Sequence, residues 1–207
     1  MKQVKTAIKR PGNPAKRQAA VQGAPGEVRI ISGQWRGRKL AVLDAEGLRP
    51  TTDRVKETLF NWLMHDIDGA TVLDCFAGSG SLAFEALSRH AKSATLIERE
   101  AAQARQLQHN ISKLNCNNAS VVQQDCISYL NTATATQFDV VFIDPPFRKE
   151  LALPCCQLLE QYNWLADTAL IYLETEKELT IAQLPANWRL LKEKIAGQLA
   201  YRLYQRG

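Results

Sequence analysis

No run of about 18 apolar residues occurs anywhere in the 207 residues, so a membrane-spanning helix is excluded. The amino end is basic and lacks the apolar stretch of about 7–15 residues that a secretory signal requires. Cysteines are few and odd in number: Cys75, Cys116, Cys126, Cys155 and Cys156, the last two adjacent. They show no paired metal spacing, so neither a disulfide framework nor a zinc site is expected, and no metal ligand is assigned. Reduced thiols of this kind point to a cytoplasmic protein. The three histidines, His65, His90 and His109, have no nucleophile or metal spacing, which leaves hydrolase readings without support. No internal repeat is visible. What is present is a 45% apolar, 23% charged composition, which excludes wholesale disorder. A chain of this length can bury a full core unaided.

Charge is unevenly distributed. The net charge is +5, yet residues 1–25 hold Lys2, Lys5, Lys9, Arg10, Lys16 and Arg17 and no acid. The basic character is therefore a tail, and the remainder is close to neutral. Pro11, Gly12, Pro14, Gly23, Pro25 and Gly26 predict that residues 1–26 form an unfolded basic arm. Such an arm raises affinity for phosphate backbones, or serves as a solubilising tail.

Next, Val28–Ile31 and Arg38–Leu43 flank a glycine-bounded turn and predict a hairpin. Arg29, Arg36, Arg38 and Lys39 make it a second basic element with Trp35 at its tip, suited to base stacking and phosphate contact. Trp35 is equally suited to packing beneath the hairpin. From Thr52 to Ile67, apolar residues recur at helical spacing, with Thr51, Thr52 or Asp53 as cap. Beyond Gly69, strand-like runs (71–76, 93–98, 119–123, 138–144, 168–174) alternate with helix-like runs (81–90, 100–115, 126–131, 150–162, 176–184). Apolar strands separated by helices predict an α/β fold, a parallel sheet covered on both faces. Residues 188–195 and 198–205, turning at Gly197, should add an antiparallel edge. The expected organisation is an arm (1–26), a hairpin-and-helix extension (27–68) and a cofactor-binding domain (69–207). Trp62, Trp164 and Trp188 read as core.

Asp74-Cys75-Phe76-Ala77-Gly78-Ser79-Gly80 ends a strand and opens a helix. Gly78 and Gly80 allow a sharp turn and close approach of backbone to a ligand. Glu98 ends the next strand about 20 residues on, where an acid can grip both hydroxyls of a ribose. A nicotinamide enzyme and an adenosyl-methionine enzyme would both show this much. Asp74, at the strand end, suits an ammonium group, whereas a pyrophosphate calls for free helix amides. Asp125 offers an acceptor for an adenine amino group. Both aspartates also suit helix caps. S-adenosyl-methionine is the better fit.

The most informative stretch is Phe138–Phe147. An apolar strand stops at Asp144, and Pro145 and Pro146 then hold the chain extended. A carboxylate, a proline carbonyl and the Phe147 ring are thereby fixed at the edge where open α/β sheets bind ligands. Phe147 can stack on a planar base while Asp144 and the Pro145 carbonyl accept from its exocyclic amine. An amine conjugated with a ring is a poor nucleophile. Acceptance from both N–H bonds favours a pyramidal nitrogen aimed at an electrophile.

These residues resemble the class I adenosyl-methionine-dependent methyltransferases, in the amino-methylating branch with an [DN]-P-P-[FY] motif. Ile30–Leu40, Arg49–Leu63 and Gly197–Tyr204 are similar to the RsmD family, and the likeness runs over residues 28–205. The resemblance implies a Rossmann-like, mainly parallel seven-stranded sheet. It implies methylation of N2 of guanine 966 in 16S rRNA, with that rRNA or the assembling 30S subunit as partner. Cofactor contacts are implied for Asp74, Gly78, Gly80, Glu98 and Asp125, and catalysis for Asp144, Pro145, Pro146 and Phe147. The segment carrying Arg49, Thr51 and Arg54 should close over the cofactor, with Thr51 toward its carboxylate and Arg54 also available to RNA. A monomer is expected. Adenine-N6 methylation and a non-catalytic RNA-binding assembly role remain alternatives.

Overall fold

The computed structural model describes residues 26–43, 52–132, 134, 136–178 and 183–207. Residues 1–25 of the expected arm, and Arg49 and Thr51, lie outside the described residues, while Gly26 opens the first strand.

The hairpin forms as expected, from β1 (Gly26–Arg29) and β2 (Lys39–Val42), paired antiparallel. Helix α1 (Asp53–Trp62) follows, capped by Thr52, whose side chain accepts from the Val55 N–H. Asp53 in the first turn complements the helix dipole. The alternating part comprises β3 (Thr71–Asp74), α2 (Ser81–Ser88), β4 (Ser93–Glu98), α3 (Ala101–Leu114), β5 (Ala119–Gln123), α4 (Cys126–Leu130), β6 (Phe138–Ile143), α5 (Ala152–Gln161) and β7 (Leu165–Glu176). Strands β8 (Trp188–Ala196) and β9 (Leu199–Arg206) turn back at Gly197, whose φ of +66° suits the residue without a Cβ.

The large sheet has the order β5-β4-β3-β6-β7-β9-β8. Its first five strands are parallel, while β9 runs antiparallel to both β7 and β8. This is the mainly parallel seven-stranded sheet with an antiparallel edge. Two departures from expectation have a common cause. Strand β7 is longer than residues 168–174, because it pairs with β6 on both sides of an irregularity between Phe138 and Val140 and continues to Glu176 against β9. The helix expected over 176–184 does not start where placed: Glu176 pairs with Leu199 in the β7–β9 ladder, and Lys177 and Glu178 form a turn.

One buried cluster joins Ile30 and Leu40 of the hairpin segment, Leu59 and Phe60 of α1, and Val72, Leu96, Val140, Phe142 and Tyr172 of the sheet. Polar contacts lock the same junction. Glu85 of α2 is fully buried; its Oε2 accepts from the Ile31 N–H (2.8 Å) and its Oε1 from the Ser32 N–H (3.0 Å) and Arg89 Nε (2.8 Å). Ser88 Oγ accepts from the Trp35 N–H and donates to the Ser32 carbonyl. Gly33 comes so close that a Cβ there would lie 1.8 Å from the Ser88 carbonyl oxygen. Lys56, 1% exposed, donates to the Arg29 carbonyl (2.6 Å) and pairs with Asp53 (3.1 Å). The hairpin therefore shares the core of the sheet.

Replacing Glu85 with Ala strips two backbone donors and an arginine of their acceptor in a buried place. The expected loss is about 3 kcal/mol or more in urea unfolding, with faster amide exchange at Ile31 and Ser32. Glu85→Gln should lose less, since one oxygen remains.

Candidate active site

The sheet order places β4 and β6 on opposite sides of β3, so the carboxyl ends of β3 and β6 border a crevice that no connecting helix crosses. Asp74 ends β3, opposite Phe142 of β6 in register, and the Cys75 N–H donates to the Phe142 carbonyl. Asp144 follows β6 at once, two residues beyond that level. The two aspartates that sequence reasoning singled out thus flank one crevice from neighbouring strands.

Asp74 is 2% exposed. Burial pushes its carboxyl up to about 7, against opposing hydrogen bonds from the Ala83 and Phe76 N–H groups and with added push from Glu98. It thus accepts from the first turn of α2 and is a buried acid with no cationic neighbour among the described residues. A bound ammonium group would supply one.

The turn after β3 is set by Gly78 (φ +48°) and Gly80 (φ +74°). A Cβ on Gly80 would strike Phe84 and Leu107 at 2.5 and 2.7 Å. Glu98 holds this turn in place: its Oε2 accepts from the Gly78 N–H (3.0 Å) and its Oε1 from the Glu100 N–H (2.7 Å). Its carboxyl is raised by burial, against those two bonds. Each oxygen keeps a second lone pair for a hydroxyl donor. Asp125 caps α4, its Oδ1 accepting from the Ser128 N–H (3.0 Å) and Ser128 Oγ (3.2 Å). Asp125 itself is half-buried.

After Asp144 the chain runs extended through Pro145 and Pro146 to Phe147, whose ring is 42% exposed. Arg148 and Glu150 then take left-handed backbone (φ +57° and +54°), and the Arg148 N–H donates to Glu176 of β7 (2.6 Å). Left-handed conformations at non-glycine residues are held at some energetic expense, and such strain clusters at functional loops.

Beside the crevice is a cavity of about 280 Å³ between α1 and the β7–β9–β8 edge. Its walls include Arg54, Thr58, Trp62, Tyr172, Lys194 and Tyr201, and Lys194 Nζ donates to Thr58 Oγ1 (3.1 Å). Trp62, read as core, is a half-buried wall of this cavity, while Trp164 and Trp188 are buried as expected. Trp35 is half-buried against the main core and not a projecting tip, because its turn is seated on Ser88. Arg29 pairs with Asp53 and Lys39 with Glu27, whereas Arg36 and Arg38 are exposed and form no ion pair among the described residues. Glu85, Lys56 and the cavity carried no local sequence signal, since each depends on partners far along the chain. The sulfurs of Cys75, Cys126 and Cys155 lie within 4.8 Å of one another, a meeting of three separate elements that spacing could not reveal. Hydrogen bonds from Cys155 and Cys75 lower Cys126 to about 5.

Residues 28–205 match the family described as "Conserved hypothetical protein 95". The chain is 57% identical over 181 residues to Ribosomal RNA small subunit methyltransferase D of Escherichia coli, covering 87% of this chain and 91% of that one. The chain belongs to the RsmD family. A Haemophilus influenzae relative of the same name is 55% identical over 185 residues, covering 88% and 95%. The solved structure of a putative methyltransferase from Escherichia coli superposes with a TM-score of 0.82 at 55% identity, covering 87% of this chain and 98% of that one. The RsmD match starts at Val28, after the arm, and includes both the seated hairpin and the β8–β9 edge.

Asp74 gives a pH signature. Its folded-state pKa is raised, so the proton it keeps between about pH 4 and 7 favours the folded state, and this stabilisation is lost as pH rises through about 7. Without cofactor, Asp74→Asn should therefore gain stability relative to the parent on going from about pH 5 to about pH 8. The gain should be on the order of 3 kcal/mol, measured by denaturant unfolding.

Proposed function

We propose that this methyltransferase transfers a methyl group from S-adenosyl-methionine to the exocyclic N2 of guanine 966 in 16S rRNA of the small ribosomal subunit. The observation that carries this reading is the adjacency of β3 and β6, with Asp74 and Asp144 at their carboxyl ends. The name borne by the Escherichia coli and Haemophilus influenzae relatives supports the substrate class.

The residues present fit the cofactor. A buried carboxyl at Asp74, a turn through Gly78 and Gly80, and Glu98, whose oxygens each keep a lone pair, suit its ammonium, its backbone and its ribose. Asp125 would meet the adenine amine. When bound, S-adenosyl-methionine supplies an electrophilic methyl group on a sulfonium. Phe147 stacks on the target base and holds it at the rim. Asp144 and the Pro145 carbonyl accept from the two N2–H bonds, so that the nitrogen becomes pyramidal and its lone pair points toward Asp74 and Glu98. Asp144 would take the proton that N2 sheds as the N–C bond forms and the sulfonium S–CH3 bond breaks, its electron pair staying on sulfur as a neutral thioether. The rest of the acceleration is alignment, as for any reaction between two bound partners. Arg36 and Arg38 on the hairpin turn, Arg54 and Lys194 at the cavity, and the basic arm offer phosphate contacts. Arg29 and Lys39, ion-paired within the protein, would contribute by exchanging those partners.

The decisive test is digestion of 16S rRNA or 30S particles, taken from cells lacking this protein, after incubation with labelled S-adenosyl-methionine. Label in N2-methylguanine at position 966 is expected, and label in N6-methyladenine would overturn the reading. Asp144→Ala should lower kcat by a factor of about 100 or more with little change in cofactor affinity. Unimpaired turnover would remove Asp144 from the chemistry.

Deleting residues 1–25, or replacing Arg36 and Arg38 with Ala, should weaken RNA binding. Each change should also flatten the dependence of log affinity on log salt, by roughly 1–2 for the arginine pair. An unchanged slope would separate that element from the RNA.

A further inference from the structure

We propose that Glu174 of β7 selects guanine, its carboxylate accepting the N1–H of the base whose N2 amine is held by Asp144. This rests on the guanine-N2 reading above and names the residue that enforces it.

Phe142 of β6 and Tyr172 of β7 are register partners, and their rings meet edge to face with centroids 6.4 Å apart. Ile143 and Leu173, the next pair, face the opposite side and belong to the other core cluster. Alternation then returns Asp144 and Glu174 to the face of Phe142 and Tyr172, side by side at the rim. A second observation agrees. The Tyr172 hydroxyl is held well above its usual range by burial first, and then by the negative charges of Glu174 and Asp144, so both carboxylates lie in its neighbourhood. The Tyr172 O–H donates to Glu174 Oε2 (3.0 Å), which fixes how the carboxylate is presented. Glu174 is half-buried.

Neighbouring parallel strands lie about 4.8 Å apart, so two acceptors stand in a row along the rim. Guanine presents two donors in a row, N2–H and N1–H, and matches them. Adenine presents an amine beside a bare N1 lone pair, which would face the Glu174 carboxylate without a proton between them. A site built around such a hydrogen bond rejects the analogue that lacks it far more strongly than shape alone does. Asp144 and Pro145 recognise any exocyclic amine, and Glu174 supplies the discrimination they lack.

The test compares small-subunit rRNA carrying guanine or 2-aminopurine at the target position. The analogue keeps the N2 amine and replaces N1–H with a lone pair. Wild-type protein should prefer guanine by a factor of about 100 or more in kcat/KM. Glu174→Gln can turn an amide N–H toward the bare N1, so the preference should fall to about tenfold or less. Tyr172→Phe, which removes the hydroxyl bonded to the carboxylate, should fall between the two. An equal preference in wild type and Glu174→Gln, with both proteins folded by thermal unfolding, overturns the assignment of Glu174. Should wild-type protein place its label on adenine, the guanine reading fails first. N2-labelled guanine with an unchanged ratio in the variant refutes Glu174 alone.

Discussion

Parallel pairing of β3 with β6 is the constraint on which the candidate site depends. The two strands are adjacent in the sheet although α2, β4, α3, β5 and α4 lie between them in sequence. Their shared carboxyl edge is therefore free of crossover connections, and it carries both Asp74 and Asp144. The register, Asp74 opposite Phe142, sets Asp144 about two residues further out. An inner carboxylate faces a buried turn and an outer one faces the rim. That stagger sets one carboxylate deeper than the other, and a slip of one residue would turn one of the two side chains to the other face of the sheet.

Buried carboxylates do two different jobs in this protein. Glu85 is fully satisfied, with two backbone N–H groups and an arginine, and it joins the hairpin to α2. Asp74 accepts hydrogen bonds, but burial, with no cation beside it among the described residues, raises its carboxyl to about 7. The first arrangement is structural and has no reason to change on ligand binding. The second leaves the protein ready to gain from a positive group. Glu98 stands between these extremes, bonded to the glycine turn it helps to shape and still able to accept hydroxyl donors.

Much of the site was legible because its residues lie at strand ends and turns, where sequence texture changes abruptly. The glycine turn, Glu98 and the Asp-Pro-Pro-Phe stop were all found that way, and β4 and β5 fell on their expected residues. The helix expected over 176–184 does not begin at Glu176, for a reason local patterning cannot see: Glu176 is drawn into a ladder with Leu199 of a strand that comes later. Trp35 and Trp62 were ambiguous for a similar reason. An aromatic residue looks alike whether it meets core, cavity or solvent, and only its neighbours decide.

The amino-acid sequence by itself determined the alternating elements, the glycine turn and the position of each carboxylate relative to its strand end, because those follow from steric preference and periodicity over a few residues. The tertiary structure alone decided that Ile31 and Ser32 are held by Glu85, that Lys194 reaches Thr58 across 136 residues, and that Ile143 pairs with Leu173 at the end of β6. Those meetings are set by strand order and register. A buried carboxylate, a wall of a cavity and a neighbour at the rim acquire their chemistry from what the fold packs against them.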